Sequence, residues 1–222
     1  MADSVNQCAG PFGAAYDFYI ERPWLMQAIG RAVWGVDVSP LYRSIDEALG
    51  GVADGMTVLD VPCGGGIALR ALHTDMQVRY VAADLSQKML RRARRRAALG
   101  RLAQVEFVLA DMTALPFEDA EADLFLSYSG LHMIDDAERA VCEIARCLKP
   151  GGALAGSTFL REGSARQRKL FVLGRRSGHA LPPTLPDLRR WFDDAGIDAR
   201  IEGEKGFVVF DGRRRQPPPL SD

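Results

Sequence analysis

The sequence contains no run of 18 apolar residues, and this absence predicts that the chain does not insert into a membrane. Its first residues include an acid but neither a basic segment nor an apolar core, so we expect no signal peptide. A charge excess is also missing, because 28 Lys and Arg balance 29 Asp and Glu. This balance disfavours a globally basic nucleic-acid binder. At 222 residues the chain is most simply one domain.

Cysteine is scarce, and its four positions form no recognisable framework. Cys8, Cys63, Cys142 and Cys147 include no C-x-x-C pair, and none belongs to a Cys/His cluster with zinc spacing. The sequence therefore predicts four reduced thiols, a cytoplasmic location and no metal site.

The chain does contain a regular alternation of strand-like and helix-like segments. Strands that alternate with helices at this spacing indicate βαβ units and a parallel sheet. Two further strand-like runs in residues 198–211 are joined too tightly for a crossover, so they predict an antiparallel hairpin. We expect an α/β fold: a Rossmann-like doubly wound sheet, mostly parallel, with an antiparallel C-terminal hairpin strand. The runs read as parallel strands are residues 57–61, 78–83, 105–110, 122–127 and 153–159.

The domain organisation follows from changes in composition along the chain. Residues 1–212 are predicted to form the single domain, with an N-terminal helical lid at 1–50 and a central core at 57–159. The segment 161–183 is polar and is predicted to be irregular, as a lid insertion over a site. Residues 213–222 are rich in Arg and Pro and are predicted to be a disordered tail.

The most informative stretch is VLDVPCGGG, residues 58–66, in which a buried strand carries an acid and runs into a glycine-rich turn. A ligand can approach such a backbone closely because Gly has no Cβ. Asp60, Asp84 and Asp111 all lie at or near the ends of strands, so a parallel sheet brings them to one edge. An acid that ends the second strand is placed to accept the hydroxyls of a ribose. These residues predict a site for an adenosine-type ligand.

Two phosphate-binding motifs fail at this turn. The dinucleotide fingerprint G-x-G-x-x-G would need a third glycine where Leu69 stands, and the P-loop would need a Lys after the glycines. The ligand therefore need not carry phosphate.

Five motifs across residues 57–159 resemble those of class I S-adenosylmethionine-dependent methyltransferases, in the group related to ubiquinone-biosynthesis methyltransferases. In chain order they are VLDVPCGGG, VAADLSQKML, FVLADMTALPF, ADLFLSYSGLHMI and LKPGGAL. Each motif alone is weak, but five in order at normal spacing are specific. The resemblance implies S-adenosyl-L-methionine as the cofactor.

The resemblance also implies which residues bind the methionine end of that cofactor. Asp60 would hold its ammonium group, directly or through water, and Gly64 and Gly66 would let the backbone pass beneath it. Ser127 lies where a backbone carbonyl usually meets the methionine end. Tyr16, in what resembles an N-terminal lid helix, would contact the carboxylate.

The adenosine end is assigned by the same resemblance. Asp84 would bind the ribose hydroxyls, and Leu85 would pack on the adenine. Asp111 would accept from the adenine amino group, beside the backbone of Met112. For each acid the ordinary alternative is a helix cap or a turn residue.

Pro62 departs from the family, in which Gly is common at this position. Proline has a negative φ and no N–H, so this amide cannot bind a ligand. A degenerate copy that no longer binds the cofactor, or binds it without catalysis, is therefore an open alternative.

His132 is the candidate catalytic residue, because it follows the fourth strand and resembles the first His of the family's L-H-H element. A histidine has a pKa suited to a general base for an alcohol acceptor, and its alternative role is structural. Tyr19, Tyr128 and His179 are assigned to substrate binding. Asp135 or Asp136 is predicted to cap the following helix.

The resemblance thus predicts methyl transfer to a small-molecule acceptor, at the hydroxyl of a sugar, of a phenol or quinol, or of a hydroxylated lipid or polyketide. The preference for oxygen rests on His132 and on family analogy. An RNA or protein methyltransferase is the alternative, because residues 88–96 carry six cations. The ordinary interpretation of that run is a solvated helix face. The sequence does not distinguish a monomer from a homodimer.

Overall fold

The computed structural model describes residues 23–176, 180–204 and 206–216. The strands are β1 Thr57–Asp60, β2 Arg79–Asp84, β3 Val105–Leu109, β4 Ala122–Tyr128, β5 Leu148–Phe159, β6 Ile197–Glu204 and β7 Phe207–Arg214. The α-helices are α1 Pro23–Ile29, α2 Ser39–Gly50, α3 Gln87–Gly100, α4 Ala137–Cys147, α5 Ala165–Arg176 and α6 Leu185–Asp194. A π-helical turn, Gly30–Trp34, follows α1, and 3₁₀ turns form at Ala68–Ala71 and Leu131–Met133. No helix within the described ranges is long and apolar enough to cross a membrane.

The sheet confirms the predicted fold class. Its seven strands run in the order β3-β2-β1-β4-β5-β7-β6. The first five of these pair in parallel, whereas β7 is antiparallel to both β5 and β6. The order reverses between β1 and β4, which are neighbours in the sheet. In open α/β sheets the ligand crevice lies outside the carboxyl ends of the strands at such a reversal.

The hydrophobic core lies on both faces of the sheet, because successive side chains of a strand point to opposite faces. In β1, Val58 packs in the same cluster as Ile45 of α2 and Leu90 of α3. Its neighbour Leu59 packs on the other face, in the cluster that contains Ile144 of α4. With both faces covered, β1 is held rigidly beneath whatever binds at its carboxyl end.

Two helices begin at side-chain caps that position the loops of this edge. Ser86 accepts a hydrogen bond from the N–H of Met89 at 3.4 Å and starts α3. Asp136 accepts from the N–H of Arg139 at 3.0 Å and starts α4, so Asp136 is the cap. Both caps follow strand ends, which is where the predicted site lies.

The segment 161–183, predicted to be irregular, contains a helix instead. Ser164 and Gln167 form a reciprocal pair at the start of α5. The Ser164 hydroxyl accepts from the Gln167 N–H at 3.3 Å, and the Gln167 side chain accepts from the Ser164 N–H. This is a capping box, S-x-x-Q, and it was a readable signal in the sequence. The helix was not predicted because the segment is mostly polar.

The boundary at residue 212 is also corrected. Strand β7 runs to Arg214, two residues past the predicted end of the domain. Arg215 then contacts Asp193 and Asp198 by ion pairs. Arginine in this tail therefore extends β7 and joins its end to α6 and β6.

Candidate cofactor and acceptor site

The glycine turn between β1 and the first 3₁₀ segment is tied to both neighbouring strands. The N–H of Val61 donates to the Leu126 carbonyl at 2.9 Å, and the N–H of Cys63 donates to the Ala83 carbonyl at 2.8 Å. Gly64 and Gly66 have φ of +53° and +81°, a region that favours glycine. The turn is therefore held in one conformation at the carboxyl edge of the sheet.

The two glycines have different surroundings. A Cβ at Gly64 would meet nothing within 4 Å, so this backbone is open to a ligand. A Cβ at Gly66 would lie 2.8 Å from the Leu69 side chain and 3.3 Å from Ala93 of α3. Gly66 thus allows close packing of the turn on α3, and the open ligand surface predicted for both glycines belongs to Gly64.

Asp84 links the second strand to this turn. Its Oδ2 accepts from the N–H of Gly64 at 2.9 Å, and its Oδ1 accepts from the N–H of Ser86 at 2.8 Å. Burial raises the pKa of this carboxyl, while the two backbone hydrogen bonds oppose that shift. Each oxygen has a second lone pair, so Asp84 can still accept a ligand hydroxyl.

Asp60 is the most deeply buried acid of the site, with 2% of its surface exposed. The hydroxyl of Tyr80, on β2, donates to Asp60 Oδ2 at 2.9 Å. Burial raises the pKa of Asp60 to about 7; the Tyr80 hydrogen bond opposes that rise, and the charge of Asp84 adds to it. A cation bound next to Asp60 would compensate its buried charge. No sequence signal indicated Tyr80.

The adenosine side is defined by residues that follow β2 and β3. Leu85 comes directly after β2 and is 49% exposed, unusual for a leucine beside a core strand. Asp111 Oδ1 accepts from both the N–H and the hydroxyl of Thr113, at 2.8 and 2.7 Å. Asp111 therefore has the ordinary turn role as well. Met112 beside it is buried, and its assignment to the adenine stays a prediction.

Ser127 lies at the carboxyl end of β4 and is fully buried. Its Oγ has no hydrogen-bond partner within the described part of the chain. Buried hydroxyl groups are normally satisfied, so this one points to a polar group that binds there. Across the strand pair, a Cβ at Gly156 would lie 2.3 Å from the Ser127 carbonyl oxygen, so the two backbones are closely packed.

Pro62 lies against the loop that follows β4. The Val61–Pro62 peptide bond is cis. A Cβ at Gly130 would lie 2.4 Å from the Pro62 Cδ, so only glycine fits opposite this ring. Pro62 thereby connects the glycine turn to the loop that carries His132.

His132 is half-buried and lies in the 3₁₀ turn Leu131–Met133, which follows β4. This turn contacts the end of β5 at Phe159, and we call the region between them the mouth of the site. Its Nδ1 accepts from the N–H of Phe159 at 3.4 Å and lies 3.4 Å from the Thr158 hydroxyl oxygen. The Phe159 ring meets the imidazole in an edge arrangement, 5.1 Å between centroids. Burial lowers the pKa of His132 to about 4. Its catalytic role stays a prediction.

Of the three residues assigned to the acceptor, the structure describes Tyr128. Tyr19 and His179, like Tyr16 of the predicted cofactor site, lie outside the described residues. Tyr128 is buried, and its hydroxyl is 3.0 Å from the hydroxyl of Ser44 in α2. Its polar end is bonded inside the fold, and its assignment to substrate binding stays a prediction.

The basic run is partly integrated into the fold. Arg96, on α3, donates to the Gly66 carbonyl at 3.0 Å, and the Arg94 guanidinium lies 5.2 Å from the centre of the Phe107 ring. Arg96 was not among the predicted site residues, although it holds the glycine turn directly. The run is therefore more than the solvated helix face that charge patterning indicates.

The geometry fits S-adenosylmethionine. Asp60 offers a buried acid for an ammonium group, the backbone of Gly64 is open, and Asp84 can accept hydroxyls. Leu85 presents an apolar surface for a base. The unpartnered Ser127 Oγ adds a polar group at the methionine end.

Comparison with known proteins agrees with this fit. Residues 59–156 match the family described as a methyltransferase domain. These residues therefore form a methyltransferase domain, and the resemblance predicted from the motifs is confirmed. The cofactor of such a domain is S-adenosylmethionine, as predicted.

Curated relatives share part of the chain. An uncharacterized protein of Mycobacterium tuberculosis is 32% identical over 62% of this chain and 53% of its own length. The malonyl-(acyl-carrier protein) O-methyltransferase of Enterobacter lignolyticus is 27% identical over 84% of this chain and 70% of its own. A ubiquinone/menaquinone biosynthesis C-methyltransferase of an Enterobacter species is 39% identical over 51% and 47%. The chain thus spans about half the length of several relatives.

Solved structures show the same fold at low identity. The phosphoethanolamine N-methyltransferase 2 of Haemonchus contortus, in complex with S-adenosyl-L-methionine, has a TM-score of 0.67 and 17% identity, over 81% of this chain and 53% of its own. The cyclase SpnF has a TM-score of 0.66 and 18% identity, over 80% and 81%. Because a cyclase shares the fold, the fold alone does not define the reaction.

Proposed function

We propose that the protein transfers the methyl group of S-adenosylmethionine to an oxygen atom of a small-molecule acceptor. The observation that carries this proposal is the site at one sheet edge. Asp60 and Asp84 lie beside an open glycine backbone, and His132 lies at the neighbouring mouth. In this arrangement Asp60 holds the cofactor's ammonium group and Asp84 its ribose, while Leu85 and Asp111 contact the adenine.

The bound cofactor supplies an electrophilic methyl group, so the protein mainly has to align an acceptor for in-line displacement. The rigid strands β1 and β4 support this alignment, because their side chains are packed on both faces of the sheet. The loop with Gly130 and His132 lies between these strands and the end of β5. It therefore brings acceptor-binding groups next to the glycine turn, where the cofactor would bind.

An oxygen acceptor is supported by the O-methyltransferase relative that aligns over most of the chain, and the imidazole of His132 can form a hydrogen bond with such an oxygen. The acceptor classes that we propose are sugar hydroxyls, phenols or quinols, and hydroxylated lipids or polyketides. A relative that methylates carbon shows that the family includes other acceptors. The engagement of Arg94 and Arg96 within the fold weakens the case for RNA. A cytoplasmic location stays a prediction.

Isothermal titration with S-adenosylmethionine tests the first step. The wild-type protein should bind at micromolar concentration, and Asp84→Ala should bind at least tenfold more weakly. Asp123→Asn is the matched control, because Asp123 lies at the amino end of β4, where it pairs with Lys149. No heat from the wild-type protein at high micromolar cofactor would reject the proposal.

An acceptor screen tests the second step by measuring release of S-adenosylhomocysteine. The panel covers sugars, phenols, quinols, hydroxylated lipids, polyketides, carboxylic acids and total RNA. Turnover with a small oxygen acceptor supports the proposal, whereas turnover with RNA alone contradicts it. Cofactor binding without turnover on the whole panel indicates a non-catalytic homologue.

A further inference from the structure

The N–H of Phe159 identifies which ring nitrogen of His132 carries a proton. The backbone hydrogen bonds between the parallel strands β4 and β5 continue as far as Ser129, whose N–H donates to the Ser157 carbonyl at 2.8 Å. After Ser129 the chain enters the 3₁₀ turn. Phe159, two residues after Ser157, directs its N–H to the same side and donates to His132 Nδ1 at 3.4 Å. The imidazole thus takes the place of the next strand carbonyl.

A backbone N–H can only donate, so Nδ1 must be the unprotonated nitrogen of the ring. The proton of neutral imidazole then sits on Nε2. The Thr158 hydroxyl, 3.4 Å from Nδ1, donates its own proton to the Phe159 carbonyl, so the assignment rests on the Phe159 N–H. A histidine base has the opposite arrangement, with a carboxylate that accepts from Nδ1–H and leaves Nε2 free. Here a backbone amide occupies the position of that carboxylate.

The environment keeps the ring neutral. Burial is the cause that lowers the pKa of His132 to about 4, and no described carboxylate raises it. The imidazole is therefore uncharged at neutral pH, with a proton to donate from Nε2. The nearby hydroxyl of Thr158 is not a base at this pH. Among the described residues, the groups in contact with His132 are this hydroxyl and the N–H and ring of Phe159, and none of them can take a proton from a neutral alcohol.

We infer that His132 donates its Nε2–H to the acceptor oxygen, and that this oxygen is bound as an anion, that of a carboxylic acid or an acidic phenol. This inference rests on the proposed methyltransferase function. Of the acceptor classes proposed above it keeps acidic phenols, it excludes neutral hydroxyls, and it adds carboxylic acids. In the reaction, a lone pair of the oxygen anion forms the new O–CH₃ bond. The C–S bond breaks with its electron pair going to sulfur, which becomes a neutral thioether. No proton has to move, so no base is required.

The tautomer can be measured without knowing the acceptor. Two-dimensional ¹⁵N NMR of the side chains, with His132→Gln to assign the signal, distinguishes protonated from unprotonated ring nitrogens. We expect Nε2 protonated and Nδ1 unprotonated from pH 6 to 8. A protonated Nδ1, or a ring that becomes doubly protonated near pH 6.5, overturns the inference. Cofactor titration on the same sample tests the proposed function separately.

Two variants test the donor role with carboxylates, acidic phenols and alcohols as acceptors. His132→Gln places an amide N–H near the position of Nε2 but offers no base. His132→Leu offers neither a hydrogen-bond donor nor a base. A hydrogen bond to a charged group is worth about 1.5–3 kcal/mol, so His132→Leu should lower turnover about 10- to 150-fold. His132→Gln should stay within about tenfold of wild type, because it keeps such a donor. Both should keep the cofactor affinity.

The opposite pattern supports a base. The donor role is contradicted if turnover falls equally in His132→Leu and His132→Gln and if the wild-type protein methylates neutral alcohols with a rate that rises with pH through about 6.5. A preference for alcohols over carboxylates and phenols contradicts the anionic acceptor. Loss of cofactor binding in the wild-type protein would instead reject the proposed function itself.

Discussion

We expect Asp60 to make cofactor affinity depend on pH, and this dependence is the sharpest test of the proposed site. The free protein holds this carboxyl at a pKa of about 7, because burial disfavours its charge. A bound ammonium group favours the ionised form and lowers that pKa. Binding therefore releases a proton at low pH, and affinity must rise as pH rises towards 7. The groups that act on the carboxyl are Tyr80, through its hydrogen bond, and Asp84, through its charge.

The magnitude follows from the ionised fraction of Asp60. For an acid of pKa about 7, roughly 3% is ionised at pH 5.5 and roughly 75% at pH 7.5. If only the ionised form binds, the dissociation constant is about 25-fold higher at pH 5.5 than at pH 7.5. The range should stop there, because an α-amino group itself loses its proton near pH 8.

Tyr80→Phe removes the hydrogen bond that stabilises the ionised carboxylate. The pKa of Asp60 should then rise further, and the affinity profile should move to higher pH by about one pH unit. Tyr128→Phe is the matched control, since it deletes a buried tyrosine hydroxyl that is bonded to Ser44 instead. Asp60→Asn should bind weakly, with no pH dependence between 5.5 and 7.5.

Isothermal titration in buffers of different ionisation enthalpy measures both the affinity and the proton release. A wild-type dissociation constant that is constant from pH 5.5 to 7.5 would refute the reasoning. So would a Tyr80→Phe profile that coincides with the wild-type profile, because the hydrogen bond at 2.9 Å would then have no effect on the carboxyl.

The same pKa has a consequence for the cofactor-free protein. Folding raises the pKa of Asp60 from about 3.9 to about 7, so the protonated form favours folding. That stabilisation is complete below pH 3.9 and is lost as pH rises through 7. Asp60→Asn cannot ionise and keeps an oxygen for Tyr80. It should therefore be more stable than wild type at pH 8, by up to roughly 4 kcal/mol in urea unfolding.

Three further substitutions test parts of the site and its support. Leu85→Ser should weaken cofactor binding about fivefold by removing apolar contact, whereas Leu99→Ser, at another exposed leucine, should not; equal effects in a titration would contradict the adenine contact. Glu143→Ala should cost about 2 kcal/mol in urea unfolding, because it leaves the buried N–H of Leu115 without its acceptor and removes one of the two carboxylates paired with Arg146, and the exposed Glu202→Ala should cost under about 0.5 kcal/mol. Gly130→Ala places a methyl group 2.4 Å from the proline ring of the glycine turn, so it should cost about 1–3 kcal/mol and lower cofactor affinity; wild-type values in both assays would count against that packing.

The core of the fold was predictable because its signals are local. Apolar runs that end in acids or glycines set β1, β2 and β4 to within a residue or two of the observed strands. The motifs also identified Asp60, Asp84 and the glycine turn. The segment 161–183 was misread because its helix presents mostly polar residues, although the Ser164–Gln167 capping box was present.

The contacts that tune the site were not predictable, since each joins residues distant in sequence. Tyr80 is twenty residues from Asp60, and Arg96 is thirty from Gly66. From its position after Ser127, Tyr128 is predicted to bind the acceptor. Its hydroxyl bonds to Ser44 only because α2 packs on that face of the sheet.

The sequence by itself determined the fold class, the cofactor and the edge of the sheet where both lie, because strand periodicity and the order of the motifs are properties of the chain. The tertiary structure alone decided how the site groups are protonated. Burial beside Tyr80 and Asp84 sets the pKa of Asp60, and the N–H of Phe159 selects the tautomer of His132. Both effects depend on distances and desolvation, which exist only after strands from different parts of the chain have packed together.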